Sequence, residues 1–135
     1  MLPQIEIHPS AESDLDTIFS ESESSAALLL STIEQIDTDE NLKEIMLNHK
    51  ARHDCKEAQK WLDQYNNFGR DLWRLKVWES EYSKLLPYRI IYAYTGYMQN
   101  SPRLTILAVV KRKEFNYERD TEISSRIISD YKDID

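Results

Sequence analysis

Two spacings of apolar residues divide this chain at Gly69. Before it most of the sequence repeats at about 3.6 residues, and after it three segments alternate at about two. In Gln4–His8, Ile5 and Ile7 alternate with polar neighbours, and Pro9-Ser10 follows as a breaker and helix cap, so a short strand precedes a helix. Ala11, Leu15, Ile18 and Phe19 share a helical stripe, with Glu12, Asp14 and Asp16 on the other side, where acidic groups suit the dipole of a first turn. Ser20–Ser25 reads as a break. Ala26–Ile36 predicts a second helix striped by Leu29, Ile33 and Ile36, and Asp37-Thr38-Asp39 interrupts it and caps a further helical piece through Met46. Leu47–Phe68 is polar, carries Trp61, Leu62 and Tyr65, and predicts a helix of undefined limits that Gly69 stops.

Beyond Gly69, Leu72–Glu79, Tyr88–Thr95 and Leu104–Lys111 are rich in β-branched and aromatic residues, with Pro87, Gly96, Asn100 and Pro102 between them. Three strands on short connections predict an antiparallel meander. Thr121–Tyr131 then returns to helical spacing through Ile123, Ile127, Ile128 and Tyr131. The expected class is α+β: an N-terminal strand and helices packed on one face of a small antiparallel sheet, then a C-terminal helix, in a single domain over 1–135. The other sheet face is expected to be partly open. Alternation sends Arg74, Lys76 and Trp78 to it and Trp73, Leu75 and Val77 away from it. Arg89 interrupts a run of Tyr and Ile on the next strand, and the third strand ends in Lys111-Arg112-Lys113. On a shared face Arg74, Lys76, Arg89 and Arg112 would reach one phosphate. Trp78, Tyr88, Tyr92 and Tyr117 would offer stacking surfaces for bases. Solvated strand positions and core aromatics are the plainer explanation of the same residues.

Composition narrows the classes. Of 135 residues, 41% are hydrophobic and 30% charged, ordinary globular usage that argues against disorder. No apolar run exceeds five residues, against about 20 for a membrane span, and the amino terminus reads as no secretory signal. With Cys55 the only cysteine, internal disulfides and cysteine-based zinc fingers are excluded, and a cytoplasmic protein is expected. Two glycines, Gly69 and Gly96, leave no phosphate-cradling loop, so no nucleotide cofactor is expected. The net charge of −7 is unevenly placed: residues 1–49 hold Lys43 against eleven acidic residues, while 70–119 hold ten basic and five acidic ones. An acidic flank and a basic working surface fit a polyanion ligand, and a solubilising acidic helix fits the count equally well.

Smaller signals point elsewhere. His49 and His53 would share a helical face at i and i+4, with Cys55 a half-turn on, but no further ligand completes a metal site, so none is expected. His8 at a strand end reads as structural, and Glu79 and Glu81 read as salt-bridge partners of Arg89 or Lys84 rather than as a general base.

Leu72-Trp-Arg-Leu-Lys-Val, Leu86-Pro-Tyr-Arg-Ile-Ile-Tyr and Leu107-Ala-Val-Val-Lys-Arg-Lys-Glu-Phe-Asn-Tyr-Glu together resemble the RelE/ParE superfamily of toxin–antitoxin toxins. The opening Ile5-Glu-Ile-His-Pro-Ser-Ala-Glu-Ser-Asp-Leu is similar to that family's first strand and helix. The resemblance implies a RelE-like fold, with Asn41–Phe68 as a helical insertion. It further implies a cytoplasmic, ribosome-dependent mRNA endoribonuclease that needs no metal, forms a 2′,3′-cyclic phosphate and is neutralised by a cognate antitoxin. By position it assigns catalysis to Lys76 as base, Arg89 and Arg112 as phosphate and transition-state ligands, and Tyr117 as the residue orienting the base. Arg74, Trp78, Lys111 and Lys113 become RNA-binding residues. The same superfamily contains gyrase poisons without chemistry of their own, which the acidic balance suits, and a degenerate member folded for interaction only is the third alternative.

Overall fold

The computed structural model describes residues 2–115 and 121–134. Polar residues punctuate the helical half as capping chemistry requires. Strand β1 (Gln4–Ile7) leads to α1 (Pro9–Glu21) through His8, whose Nδ1 accepts the Ser10 backbone N–H at 3.1 Å. Ser22 caps α2 (Glu23–Thr38) by accepting from the Ser25 N–H, and Asp39 caps α3 (Glu40–Ile45) by accepting from the Leu42 N–H at 3.1 Å. Strands β2 (Arg52–His53) and β3 (Lys56–Lys60) follow, then the short helix α4 (Leu62–Phe68), which ends at Gly69 in the left-handed region (φ 68°). Strands β4 (Leu72–Trp78), β5 (Leu85–Thr95) and β6 (Arg103–Lys111) form the expected antiparallel meander, and α5 (Glu122–Ile134) closes the chain. All six strands join one sheet in the order β1-β6-β5-β4-β3-β2, with β1 parallel to β6 and the other pairs antiparallel. The architecture is α+β.

Two expectations are corrected. Leu47–Phe68 is not one helix, and the 41–68 segment is helical only at its ends. Its middle is the β2–β3 hairpin, which extends the sheet beyond β4. Lys50, Asp54 and Cys55 take positive φ of 67°, 47° and 65°, which no helix accommodates. Pairing with β4 outweighs the local preference of these polar residues for helix.

The helices also do not lie on a single face. α1 to α3 cover one face through Leu29, Ile33, Ile36 and Leu42 against Trp73, Leu75, Ile90 and Tyr92. α5 covers part of the other, where Ile127 and Tyr131 pack on Leu72, Ile91, Ala93 and Val110. Runs such as Ile106–Val110 carried that information, because strands buried on both faces read as unbroken apolar stretches.

One carboxylate joins the layers. β1 ends opposite Ile106, so the Val109 N–H at the edge of β6 lacks a strand partner; Asp14 of α1 accepts it at 2.9 Å. The same carboxylate takes both terminal nitrogens of Arg126 on α5, at 2.8 and 2.7 Å. Asp14→Ala leaves the Val109 N–H unpaired and the half-buried Arg126 guanidinium with only Asp130, 4.0 Å from its Nε, as an ionic partner. It should lower unfolding free energy by about 2–3 kcal/mol and speed hydrogen exchange in α5 before the sheet.

A second clamp holds the hairpin to the helices. Asp39 accepts from Gln35 Nε2 at 2.9 Å and faces His53 Nε2 at 3.1 Å, while Gln35 also bonds Asp54 and Lys56. The Gln35 hydrogen bond is the chief cause that lowers the Asp39 carboxyl from 3.8 to about 2, with the Leu42 N–H and His53 adding to it against burial. A depressed carboxyl contributes stability that is whole above its unfolded value and disappears as pH falls through the folded one. The hairpin should therefore stay clamped above about pH 4 and loosen toward pH 2. Asp39→Ala should cost about 1 kcal/mol and remove that acid step, read as His53 and Cys55 amide exchange against pH.

Candidate functional site

Strand register sets charges in a row. Arg52, Glu57, Lys76 and Arg89 are successive cross-strand partners on β2, β3, β4 and β5. Glu57, buried, accepts from Arg52 Nε at 2.7 Å and lies 3.7 Å from Lys76 Nζ. Burial raises its carboxyl, but hydrogen bonds from Arg52 and Gln59 and the Lys76 charge outweigh that and hold it below its ordinary value. Two residues along, Gln59 accepts from Arg74 through Nε at 2.8 Å and through Nη2. Beyond β6 the Arg112 N–H donates to Pro87 O at 2.9 Å, which continues the ladder and brings Arg112 beside the start of β5.

Arg74 and Lys76 of β4, Arg89 of β5 and Arg112 of the turn after β6 thus line one hollow of about 830 Å³, as does Lys113. The hollow opens on the sheet face opposite α1 to α3, where α5 leaves the sheet uncovered. Among the described residues, Asp63 and Glu114 line it and Glu57 lies beside Lys76, whereas Glu12, Asp16, Glu23, Glu34 and Glu40 are exposed on the helices behind the sheet. Part of the sequence's charge asymmetry is thus a difference between the two faces: Arg74, Lys76, Arg89, Arg112 and Lys113 line the hollow.

The charges act on Lys76. Burial lowers its ammonium below the ordinary lysine value, the Glu57 carboxylate pulls the other way, and Arg74, Arg89 and Arg112 lower it further. Three guanidinium groups are therefore close enough to bias one amine, and the amine form of Lys76 is easier to reach than in solvent. Arg89 is 2% exposed, and its Nη1 donates to the carbonyls of Leu86 and Tyr88, both at 2.9 Å. It fixes the start of β5 and adds charge to the floor. Arg112 and Lys113 are exposed and form no ion pair among the described residues.

Other sequence candidates lie elsewhere. Lys111 points to the helical side, bonded to Glu21 at 2.9 Å, and that carboxylate holds its ammonium above the ordinary value. It is not at the hollow. Trp78 lies one step past Lys76 and packs on Tyr82 beneath Arg52, away from the hollow. Tyr88 and Tyr92 are core residues rather than stacking surfaces: Tyr92 is fully buried, stacks on Trp73, and donates from its hydroxyl to Met46 O at 2.6 Å. Tyr117 lies outside the described residues. Glu79 and Glu81 are exposed around a tight turn beyond β4, and no ion pair of either is found among the described residues.

The histidines also separate. His53 is on β2, Cys55 is in the hairpin turn, and His49 accepts the Lys60 backbone N–H through Nδ1 at 2.9 Å, so they share no helical face. His8 is structural, with Asp130 3.7 Å from its ring, but it and not the expected Ser10 is the cap of α1: Ser10 lies inside the helix and donates its N–H to His8 Nδ1. Reasoning from the sequence missed Glu57, whose partners Arg52 and Lys76 only the hairpin brings together. It also missed His49, Lys50 and Trp61, which line the hollow from the hairpin side. No described helix is long and apolar enough to cross a membrane. A scan of known family models, a search of curated proteins and a search of solved structures each find no match to this chain.

Proposed function

We propose that the hollow binds and cleaves single-stranded RNA, and that the protein is a RelE-like toxin acting as a ribosome-dependent mRNA endoribonuclease, held in check by a cognate antitoxin. The observation that carries this reading is the convergence of Arg74, Lys76, Arg89 and Arg112 on one hollow, with the Lys76 ammonium destabilised there.

The chemistry suited to that arrangement is attack by a ribose 2′-oxygen on the adjacent phosphorus. The P–O5′ bond breaks, leaving a 2′,3′-cyclic phosphate and a 5′-oxygen that takes a proton from water to become the 5′-hydroxyl. The Lys76 amine takes the 2′-hydroxyl proton, a role for which a lowered pKa is required. Arg112 and Arg74 donate to the phosphate oxygens as negative charge builds, and Arg112, exposed and without an ion pair among the described residues, is placed to steady the leaving oxygen. Glu57 is a positioning residue, because its carboxylate keeps Lys76 next to Arg89 instead of letting it swing to solvent.

Induced expression should arrest growth and cut transcripts within codons. Lys76→Ala should reduce cleavage by about 10²–10⁴-fold and Arg112→Ala by about 10²–10³-fold, with unchanged melting temperatures. Arrest with intact transcripts and disturbed supercoiling would replace this reading with the gyrase-poison branch of the same superfamily. The role of Glu57 has its own signature. Its charge raises the Lys76 pKa, so Glu57→Gln, which keeps a hydrogen-bonding group for Arg52, should move the rising limb of the pH–rate profile to lower pH. An unmoved profile would remove Lys76 from the role of base.

A further inference from the structure

The hollow has a second wall. After α3 the chain turns through His49 and Lys50, and the Lys50 N–H donates to Ala58 O at 2.8 Å, which fastens this corner to β3. His49 Nδ1 is occupied by the Lys60 N–H, so the neutral ring carries its proton on Nε2 and can donate from it. Lys50 holds φ of 67°, a conformation that favours glycine or asparagine and costs a lysine about 1 kcal/mol. It is exposed, lines the hollow, and forms no ion pair among the described residues. Strain kept at a residue whose charge serves no partner in the fold is a mark of a binding position.

The hollow is also larger than one phosphate requires. At about 830 Å³ it lies toward the upper end of the ~300–1,000 Å³ typical of small-ligand sites. Arg74, Lys76 and Arg112 gather on the sheet side, and Lys50 and His49 stand on the hairpin side. We propose that His49 and Lys50 form a second phosphate-binding corner, so that the site takes a single-stranded RNA segment by two successive phosphates, one on each wall. This rests on the RNA-cleavage reading and deepens it by naming the smallest substrate the site recognises.

Lys50→Gly provides the test, because glycine is at ease in the left-handed region and a merely structural lysine would be replaced without loss. Two probes are needed: a fluorescent, uncleavable 2′-O-methyl RNA oligonucleotide, and adenosine 3′-monophosphate, which carries one phosphate. Lys50→Gly should weaken oligonucleotide binding about fivefold at low salt and reduce the slope of log affinity against log salt by about 0.7. Its affinity for the monophosphate should hold and its thermal midpoint should hold or rise as the strain is relieved, and Lys50→Arg should restore the oligonucleotide. Arg112→Ala should weaken both probes. Oligonucleotide affinity and salt slope unchanged in Lys50→Gly, with Arg112→Ala still impaired, would overturn the second corner and leave the RNA reading standing. Failure of the unaltered protein to bind the oligonucleotide would overturn both.

Discussion

Lys76 and Arg89 stand directly opposite each other on neighbouring strands, and the site depends on the sheet's tolerance of that repulsion. Like charges in facing positions destabilise an antiparallel pair by up to about 1 kcal/mol. Two things offset the cost. Glu57 completes the row on the other side of Lys76, so cation, anion, cation and cation alternate imperfectly from Arg52 to Arg89. Beneath the row, Leu75 and Ile90 are fully buried against the helices, and each is worth about 1.5–3 kcal/mol of burial. The strands cannot part to relieve the charges without exposing that core. Folding energy is thereby converted into a fixed electrostatic field, the form of preorganisation that stabilises developing negative charge most effectively.

The same sheet keeps opposite charges from cancelling. The acidic residues of α1 to α3 lie behind it, and a packed layer of about 10 Å intervenes before the hollow is reached. Through the solvent that bathes the two faces, exposed charges farther apart than about 8 Å are largely screened at physiological ionic strength. The net charge of −7 therefore says little about the potential at the hollow. α5 sets the hollow's other boundary. It covers the sheet where Leu72, Ile91, Ala93 and Val110 face it and stops where Arg74, Lys76 and Arg89 begin, because an apolar helix stripe gains nothing over cations. Asp14 holds that boundary by tying α5 to α1 and to the edge of β6.

Much of this was legible in the residues. The break within Ser20–Ser25, the cap at Asp39, the stop at Gly69 and the meander follow from local chemistry, and alternation alone assigns Arg74 and Lys76 to one face. The hairpin was not legible, because Arg52–His53 is too short to show a period and Lys56–Lys60 owes its extended form to β4. Lys111 was misplaced through treating Lys111-Arg112-Lys113 as a single cluster. Lys111 is the last residue of β6 and faces Glu21 on the helical side, whereas Arg112 and Lys113 lie in the turn that follows and line the hollow. Tyr88 and Tyr92 follow strand alternation, since both share the parity of Ile90 and belong to the core.

On the proposed reading, the surplus of cations answers a difficulty that a leaner site would meet. A bound phosphate brings negative charge next to Lys76, and that charge raises the affinity of its amine for a proton, as Glu57 already does. A site with one cation per phosphate would therefore cancel the shift that makes the amine available at the moment substrate arrives. Arg74, Arg89 and Arg112 around Lys76, with Lys113 also lining the hollow, leave net positive charge after a phosphate has bound. A second phosphate settled at Lys50 and His49 puts its charge on the far wall instead of beside the amine. Separating the two phosphates in this way lets the strand be held firmly while the proton acceptor stays an acceptor.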